Sequence, residues 1–399
     1  MQDLLFLCHR IPYPPDKGDK IRAWQLVRFL AQRYRLRLGC FVDDPRDWQF
    51  AAMLRSLCAE CQFVPLDPRL ARLRALRGFV DGRPLTLPYY YDARLARWVG
   101  EKLRHPDLAA VFVYCSAMAQ YVPQDLHRSK RSLADLVDVD SEKWFDYARS
   151  RSPLSSWVWQ REGRKLRAVE RRIAEDFGVT SVATEAECRL LQSIAPGAAA
   201  RIVALPNGVD SDYFSPAHRY DRPPELTGTA IVFTGAMDYW PNADAAVYFA
   251  RSILPRVREV IADARFFVVG ANPTDEVRAL TGDDGIVVTG RVPDVRPYIA
   301  HAAVVVAPLR IARGVQNKVL EGMAMAKPVV VSPQAAIGIA AESGRELIVA
   351  DDEDAFVDAI RSIVSGGVAA TIGTDARARV VKDYSWSSSL DRVDSLINA

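Results

Sequence analysis

The sequence has 399 residues, too many for one ordinary hydrophobic core, and its length predicts two domains of about 200 residues each. With 49% hydrophobic and 25% charged residues, the composition excludes a disordered or fibrous chain. The net charge of +3 is too small to indicate nucleic-acid binding, so any basic function must come from local patches. No apolar run approaches a membrane span and the start lacks the order of a signal peptide, so we expect a cytoplasmic protein.

The chain opens with a short buried strand at 4–8, followed by a proline-rich loop and a helix. A first strand that leads into a glycine-bearing loop at a helix start is where an α/β domain meets its ligand, which makes Gly18 a candidate. The loop is not GxGxxG, so a nicotinamide dehydrogenase is disfavoured. His9 follows the strand and is a candidate catalytic residue, although a lone loop histidine is more often structural. The charged residues of this loop, Asp19, Lys20 and Arg22 among them, are either ligand contacts or a solvated surface.

A strand at 35–42, a helical segment at 47–61 and a strand at 62–66 come next. The Cys58-x-x-Cys61 pair has no second pair and no nearby histidine, which favours reduced thiols on a helix over a zinc or redox site.

A basic amphipathic helix is predicted after these strands. Leu70, Leu73 and Leu76 recur every third residue between arginines, and tyrosines follow at 89–91. Such a helix either lies on an anionic membrane or covers the core with its arginines in water, and the second arrangement is commoner.

Two more buried strands are predicted at 108–115 and 132–139, and a long helix at 155–177. The second strand ends in DVDSEKW, which places Asp138, Asp140 and Glu142 at the carboxyl edge of a sheet. Asp138 is a candidate for orienting an acceptor hydroxyl or acting as a base. The pattern Asp138-x-Asp140 alone is too weak to indicate a metal site, so none is predicted.

The domain boundary is predicted from turn and linker residues. Asn207-Gly208 is a turn signal, and DRPPEL at 221–226 is a proline-bearing linker. We therefore expect domains at 1–215 and 226–383, a linker at 216–225, and a closing helix at 384–399.

The second half begins another set of alternating elements, with strands at 230–234, 265–269 and 286–289. Gly235 follows the first of these strands, and Met237, Tyr239 and Trp240 are candidates to line a base or sugar pocket.

The apolar run at 302–307 and the segment at 308–331, PLRIARGVQNKVLEGMAMAKPVVV, together predict a strand–loop–helix–strand unit of the kind that builds a phosphate site at a helix N-terminus. Gly314 allows the backbone to approach a ligand, and Arg310 and Lys318 bring positive charge. Asn317 and Glu321 are spaced i, i+4 and share a helix face. Cations suit a diphosphate and the carboxylate suits ribose hydroxyls, while an ordinary Lys/Glu surface pair is the competing interpretation.

GRVPDVRPYIAHAAVVVAPL, the Gly314-x-x-x-Lys318 spacing and LEGMAMAKPVVV together resemble the donor-binding segment of GT-B glycosyltransferases of family 4 (glycosyltransferase group 1). Many members carry two glutamates with seven residues between them; here Glu321 matches the second and Arg313 stands in the first position. PYPPDKGDKIRAW and LADLVDVDSEKW further resemble sugar transferases associated with PEP-CTERM/exosortase systems. The resemblance implies an α/β GT-B fold, in which two Rossmann-like domains face each other across a cleft and the C-terminal helix crosses back to the N-terminal domain.

The resemblance also implies site residues. The candidate donor-binding residues are Gly18, Gly235, Met237, Arg291, Val292, Arg310, Gly314, Gln316, Asn317, Lys318 and Glu321. The candidate catalytic residues are Arg310, Lys318, Glu321, Asp138 and His9.

The function that the resemblance implies is transfer of a hexosyl-type sugar from a nucleotide diphosphate donor to a saccharide or polyprenyl-linked acceptor, in exopolysaccharide biosynthesis. We expect retention of anomeric configuration, no metal and no cofactor. The protein would be cytoplasmic, with a peripheral position on an anionic inner membrane face as an alternative. A GT-B nucleotide-sugar epimerase and a catalytically silent GT-B scaffold are the alternatives.

Overall fold

The computed structural model describes residues 1–15, 18–124, 131–149, 153–282, 285–312, 314–366 and 369–398. The chain divides into two compact units: unit 1 comprises Met1–Pro206 and Leu390–Ala399, and unit 2 comprises Asn207–Ser389. The division after Pro206 precedes the predicted linker at 216–225. In the described part of the chain, no helix combines the length and the apolar character needed to cross a membrane.

Unit 1 is built on a seven-stranded sheet in which every registered pair is parallel. Its strands are β1 (Asp3–Cys8), β2 (Arg35–Val42), β3 (Glu60–Pro65), β4 (Leu108–Tyr114), β5 (Arg131–Val137), β6 (Val179–Val182) and β7 (Ile202–Ala204), in the order β3-β2-β1-β4-β5-β6-β7. The helices of this unit are α1 (Gly18–Ala31), α2 (Ala51–Leu57), α3 (Pro68–Ala75), α4 (Arg77–Val80), α5 (Thr86–Tyr89), α6 (Ala93–Leu103), α7 (Asp140–Arg149), α8 (Pro153–Asp176) and α9 (Glu185–Ile194).

Unit 2 repeats this plan with six parallel strands. They are β8 (Thr229–Thr234), β9 (Ala264–Val269), β10 (Ile286–Gly290), β11 (Val304–Ala307), β12 (Val329–Val331) and β13 (Ile348–Val349), in the order β10-β9-β8-β11-β12-β13. The helices are α10 (Trp240–Tyr248), α11 (Leu254–Val260), α12 (Asp275–Ala279), α13 (Arg296–Ala300), α14 (Asn317–Ala324), α15 (Pro333–Ala336), α16 (Glu353–Val364) and α17 (Ala369–Asp383). A last helix, α18 (Trp386–Asn398), begins in unit 2 and belongs to unit 1 from Leu390 onward.

The strands form where apolar residues follow one another without alternation. All six residues of β1 and all four of β11 are buried, as expected for a parallel strand covered by helices on both faces. Each unit has its own apolar core. The prediction of two Rossmann-like α/β domains is confirmed.

The last residues of α18 pack on unit 1. Tyr34 donates a hydrogen bond to Asp394 over 3.1 Å, and Arg392 donates to the carbonyl oxygen of Ala204 over 3.0 Å. These contacts explain why the chain from Leu390 onward belongs to unit 1.

The predicted helical segment at 47–61 needs correction. A 3-10 helix covers Pro45–Phe50, α2 ends at Leu57, Cys58 has extended backbone, and Cys61 lies in β3. Both cysteines are free thiols, but neither lies on a helix as predicted. The helix ends early because residues from Glu60 onward pair with β2 in the parallel sheet.

Candidate functional site

The first strand of each unit lies inside its sheet, where the strand order reverses. In unit 2 the reversal falls between β8 and β11, and in unit 1 between β1 and β4. Open α/β sheets bind ligands beyond the carboxyl ends of strands at such a point. The segments that follow these four strands are therefore the candidate ligand-binding segments.

Two glycines shape this edge of unit 2. The ends of β8 and β9 are in register, so Gly235 and Gly270 lie side by side. A Cβ atom on Gly270 would lie 1.7 Å from the carbonyl oxygen of Gly235, and one on Gly235 would lie 2.7 Å from the Asn242 amide. The loops can approach so closely only because both positions are glycine.

Lys318 lies in the first turn of α14 and reaches over the end of β8. Its Nζ donates a hydrogen bond to Asn242 Oδ1 over 2.9 Å and lies 5.5 Å from the centroid of the Phe233 ring. An ammonium has three donor hydrogens, and within the described chain only Asn242 accepts one. Burial lowers the pKa of Lys318 to about 8, an effect that the nearby Glu321 carboxylate partly opposes. Lys318 is thus a poorly solvated cation with donors to spare.

Asn317 and Glu321 lie close to this lysine on α14, and both have acceptor atoms to spare. Asn317 Oδ1 is buried and accepts no hydrogen bond from the residues that the structure describes. Glu321 is half-buried, and burial raises its pKa to about 7 although Lys318 opposes the shift. Neutral donors such as sugar hydroxyls would satisfy these oxygens. The start of α14 therefore offers one cation and two acceptors.

Arg310 does not join this cluster. Its guanidinium forms an ion pair with Asp244 on α10 and lies 5.0 Å from the centroid of the Tyr248 ring. The hydrogen bond that Arg310 donates to the Asp244 carboxylate raises the pKa of Arg310. Its side chain is 57% exposed. Asp244 accepts from Nε and Nη2 of this guanidinium, and the role of Arg310 in ligand binding stays a prediction.

The variants Arg310→Gln and Asp244→Asn test that role. Exposed ion pairs contribute only about 0.2–1 kcal/mol, so we expect Asp244→Asn to free Arg310 and strengthen nucleotide-sugar binding about threefold. Arg310→Gln should weaken it by a similar factor. Titration calorimetry with the same donor measures both changes. Unchanged affinity in the two variants would show that the Arg310–Asp244 ion pair only joins the loop that follows β11 to α10.

The other predicted site residues of unit 2 differ in how exposed they are. Met237 is fully buried in the apolar core, so its side chain lines no pocket, contrary to the prediction; its backbone N–H is held by the carbonyl oxygen of Ala271 over 2.8 Å. Tyr239 and Trp240 are exposed. Arg291 is exposed and Val292 packs at the margin of the core.

The loop before α14 is described except for Arg313, which lies outside the described residues. Gly314 has φ of 65°, in the left-handed region that favours glycine. The side-chain nitrogen of Gln316 donates to the carbonyl oxygen of Gly314 over 3.3 Å. This hydrogen bond ties the start of α14 to the glycine turn.

In unit 1, His9 and Gly18 flank the first loop. His9 Nε2 lies 3.2 Å from Asp19 Oδ2, and its Nδ1 is buried with no hydrogen-bond partner among the described residues. Burial would raise the pKa of Asp19, but the hydrogen bond with His9 and the charge of Arg10 hold it well below its usual range. Gly18 is the exposed first residue of α1.

Asp138 follows β5 at the carboxyl edge of the same sheet and forms an ion pair with a lysine. Lys143 Nζ lies 2.8 Å from Asp138 Oδ2 and 2.9 Å from Asp140 Oδ1. Burial alone would lower the pKa of Lys143, but the two carboxylates raise it well above its ordinary value. Sequence reasoning missed Lys143, although its spacing from Asp138 and Asp140 at a helix start was a usable signal.

Two further charged residues of α1, Lys20 and Arg22, are buried in ion pairs and are not solvated, while Asp16 and Lys17 of the preceding loop lie outside the described residues. Lys20 donates to Asp47 over 2.6 Å, and Arg22 Nε donates to Asp135 over 2.7 Å; all four side chains are buried. Their role is to fasten α1. The correction could not come from local sequence, because Asp135 is 113 positions from Arg22.

The strand ends of unit 1 carry backbone strain. Cys115, after β4, and Val137, at the end of β5, have φ of 75° and 68° although neither is glycine. Such conformations cost about 1–3 kcal/mol each and concentrate at functional sites. The carboxyl edge of this sheet is thus a second candidate site, built around His9, Asp19, Asp138 and Lys143.

Comparison with known proteins bears on both units. Residues 228–365 match the sequence family described as Glycosyl transferases group 1. A phosphatidyl-myo-inositol mannosyltransferase from Mycobacterium leprae is 29% identical over 191 residues, which cover 46% of this chain and 50% of that protein. The match thus spans about half the length of this curated relative.

Solved structures resemble the whole chain at low identity. HepE from Anabaena in complex with UDP and glucose matches with a TM-score of 0.70 at 13% identity, covering 100% of both chains. Sucrose-phosphate synthase from Thermosynechococcus elongatus matches with a TM-score of 0.72 at 15% identity, covering 100% of this chain and 98% of that one. WaaG, a glycosyltransferase involved in lipopolysaccharide biosynthesis, matches with a TM-score of 0.67 at 15% identity, covering 99% of this chain and 100% of that one.

The sequence matches support a transferase enzyme, and the structural matches show the fold. Lys318, Asn317 and Glu321 all lie inside the matched segment. The chain therefore has the α/β GT-B fold, and its residues 228–365 match the sequence family of glycosyl transferases group 1.

Proposed function

We propose that this protein is a glycosyltransferase that moves a sugar from a nucleotide diphosphate donor to a saccharide or lipid-linked acceptor. The observation that carries the proposal is the cluster at the start of α14, where a partly desolvated ammonium adjoins the unsatisfied Asn317 Oδ1 and the Glu321 carboxylate. A nucleotide sugar has the matching chemistry, since its diphosphate is anionic and its ribose and hexose hydroxyls donate hydrogen bonds.

The proposed reaction breaks the bond between the anomeric carbon and the diphosphate oxygen. A bond to the acceptor oxygen forms, the nucleoside diphosphate leaves with the electron pair, and the acceptor hydroxyl gives its proton to the departing phosphate oxygen. Lys318 would stabilise the growing charge on that leaving group, together with the backbone N–H groups at the N-terminus of α14. Glu321 and Asn317 would orient the donor through its hydroxyls.

Unit 1 is proposed to bind the acceptor. His9 follows β1 and Asp138 follows β5, with β4 between these strands at the same sheet edge, and the proposal gives both residues the acceptor hydroxyl as ligand. Lys143 holds the Asp138 side chain in place, and Asp19 holds that of His9. Because both side chains are fixed in position, they are suited to orienting a hydroxyl. The retaining, metal-independent course without a protein nucleophile belongs to the proposal, as does cytoplasmic activity.

The relatives guide the choice of substrates. The name of the M. leprae relative specifies a mannosyl group and a lipid acceptor, and the HepE complexes contain UDP or UDP-glucose. WaaG is involved in lipopolysaccharide biosynthesis. These names support UDP- and mannose-containing donors as first choices and an envelope polysaccharide as product. Exopolysaccharide assembly within a PEP-CTERM/exosortase system is our specific proposal.

A donor panel tests the function. Purified protein is incubated with UDP-, GDP- and TDP-sugars, with and without lipid extract, in buffer with and without EDTA. Nucleotide release that needs the extract and persists in EDTA is the expected result. Conversion of the donor without acceptor would indicate an epimerase, and binding without turnover would indicate a silent scaffold.

Donor binding should depend on pH with a maximum between two limbs. Glu321 becomes a carboxylate as the pH rises through about 7, and Lys318 loses its proton as the pH rises through about 8. The affinity for a nucleotide sugar should therefore be highest between these values and fall on both sides. Calorimetry over this range measures the profile, because the phosphates of a nucleotide sugar stay ionised throughout.

The variant Glu321→Gln is the control for this profile. It should lose the acidic limb and keep the alkaline one, since the amide does not titrate. An acidic limb that persists in the variant would assign the titration to another group.

A further inference from the structure

Helix α3 carries its leucines on the outside of unit 1. Leu70, Leu73 and Leu76 are 60%, 65% and 54% exposed, whereas Ala71 and Ala75 are buried against the unit. The commoner expectation, a basic helix that covers the core with its leucines, is therefore wrong. The small alanines let the helix lie close to the sheet layer and leave the leucines in water.

The apolar surface continues past α3. Val80 is 91% exposed, and Phe79 on α4 lies with its ring centroid 5.9 Å from that of the exposed Trp157 on α8. Arg161 lies over the Phe79 ring at 4.9 Å and donates to the carbonyl oxygen of Gly78. These contacts fix the aromatic end of the surface. We call the whole the leucine surface; it consists of Leu70, Leu73, Leu76, Phe79, Val80 and Trp157.

Unpaired cations surround the leucine surface. Arg69, Arg72 and Arg77 alternate with its leucines, are exposed, and form no ion pair with any residue of the described ranges. Lys165 is a fourth cation near this surface. Its Nζ lies close to Gly82, two residues after Val80, because a Cβ atom placed on Gly82 would be 3.9 Å from it.

The remaining charges of this region are already engaged. Arg74 donates to the carbonyl oxygens of Pro88 and Tyr89, and Arg83 is paired with Asp81. Asp67 accepts hydrogen bonds from the first turn of α3 as its N-cap. The surface is therefore apolar at its centre and positive around it.

We propose that the leucine surface docks unit 1 on an anionic lipid membrane. Leucine, phenylalanine and tryptophan gain by entering the interfacial region of a bilayer, and unpaired arginines gain by meeting anionic headgroups. An eight-residue helix is far too short to span the bilayer, so the contact is peripheral. A second copy of the chain fits less well, because it would bring two sets of unpaired arginines together.

Vesicle binding tests the docking without any donor or acceptor, so the result is independent of the proposed transfer. The intact protein is floated with vesicles of phosphatidylcholine alone and of phosphatidylcholine mixed with phosphatidylglycerol, at low and high salt. We expect binding to the mixed vesicles that salt weakens, and little binding to phosphatidylcholine alone.

Two variants separate the apolar and electrostatic parts. Leu70→Ser/Leu73→Ser and Arg69→Gln/Arg72→Gln/Arg77→Gln should each lower partitioning by about tenfold or more. All five side chains are exposed, so the circular dichroism and melting temperature should not change. Val260→Ser/Val381→Ser is the matched control, because these valines of unit 2 are similarly exposed at 47% and 45%.

Three results would overturn the proposal. These are no flotation of the wild type with anionic vesicles, equal binding by the two variants and the control, and a wild-type dimer in light scattering that the leucine variant dissociates. The last result would assign the leucine surface to a second copy of the chain.

Discussion

Replacing Lys318 by methionine is expected to weaken donor use more than any other single change in unit 2. Loss of one preorganised charge at a leaving group costs about 100- to 1,000-fold in rate, and Lys318 is a partly desolvated cation at the start of α14. We expect kcat/KM for the best nucleotide sugar to fall by that factor. Affinity for the nucleoside diphosphate should fall with it, because the product carries the same phosphates.

The fold should tolerate this substitution. Burial lowers the pKa of Lys318 below its value in the unfolded chain, so the charged form opposes folding at neutral pH. Methionine has a similar length and no charge, and the melting temperature should therefore stay the same or rise. A melting temperature that falls together with activity would instead indicate a structural role.

Lys327→Met provides the matched control. Lys327 is also a half-buried lysine of unit 2 whose pKa burial lowers, and its Nζ donates to the carbonyl oxygen of Ala302 over 3.1 Å. It lies beyond the opposite end of α14 from Lys318. Equal losses in the two variants would contradict a phosphate role for Lys318.

The strands were predictable because their signal is local. β1, β2, β8, β9 and β11 are runs of buried apolar residues that end at glycine, proline or polar residues, and they were found within about two residues of the predicted bounds. The doubly wound order follows from alternation of such runs with helices. The start of α14 was predictable for the same reason, since Asn317, Lys318 and Glu321 are close in sequence.

The parts that were not predictable depend on partners distant in sequence. Arg310 and Lys318 look equivalent in the sequence, yet Arg310 pairs with Asp244 while Lys318 is held by Asn242, 66 and 76 positions away. Leu70 and Leu73 have the spacing of a core-facing helix. Their exposure follows from the neighbouring alanines, which determine how close α3 approaches the unit.

Breaking the Arg22–Asp135 ion pair is expected to cause the largest loss of stability. The two side chains are 1% and 0% exposed, and the pair joins α1 to β5 through hydrogen bonds of 2.7 and 3.2 Å. Removing one partner of such a pair costs about 3–5 kcal/mol, because the other charge remains buried and unpaired. We expect Asp135→Ala to lower the urea midpoint of unit 1 accordingly. Asp135 Oδ1 also accepts from the N–H of Val137 over 3.3 Å, so its loss additionally releases a strained residue.

The double variant Arg22→Met/Asp135→Leu distinguishes these causes. If the cost comes from an unpaired buried charge, the double variant should be more stable than Asp135→Ala, since neither charge remains to be solvated. If the cost comes mainly from the Val137 backbone, the double variant should be as unstable as the single one, because both lack the carboxylate. Arg83→Gln, in the exposed pair with Asp81, should leave the midpoint unchanged and serves as the control. A wild-type midpoint in Asp135→Ala would mean that water reaches Arg22 and that α1 is held by its apolar face alone.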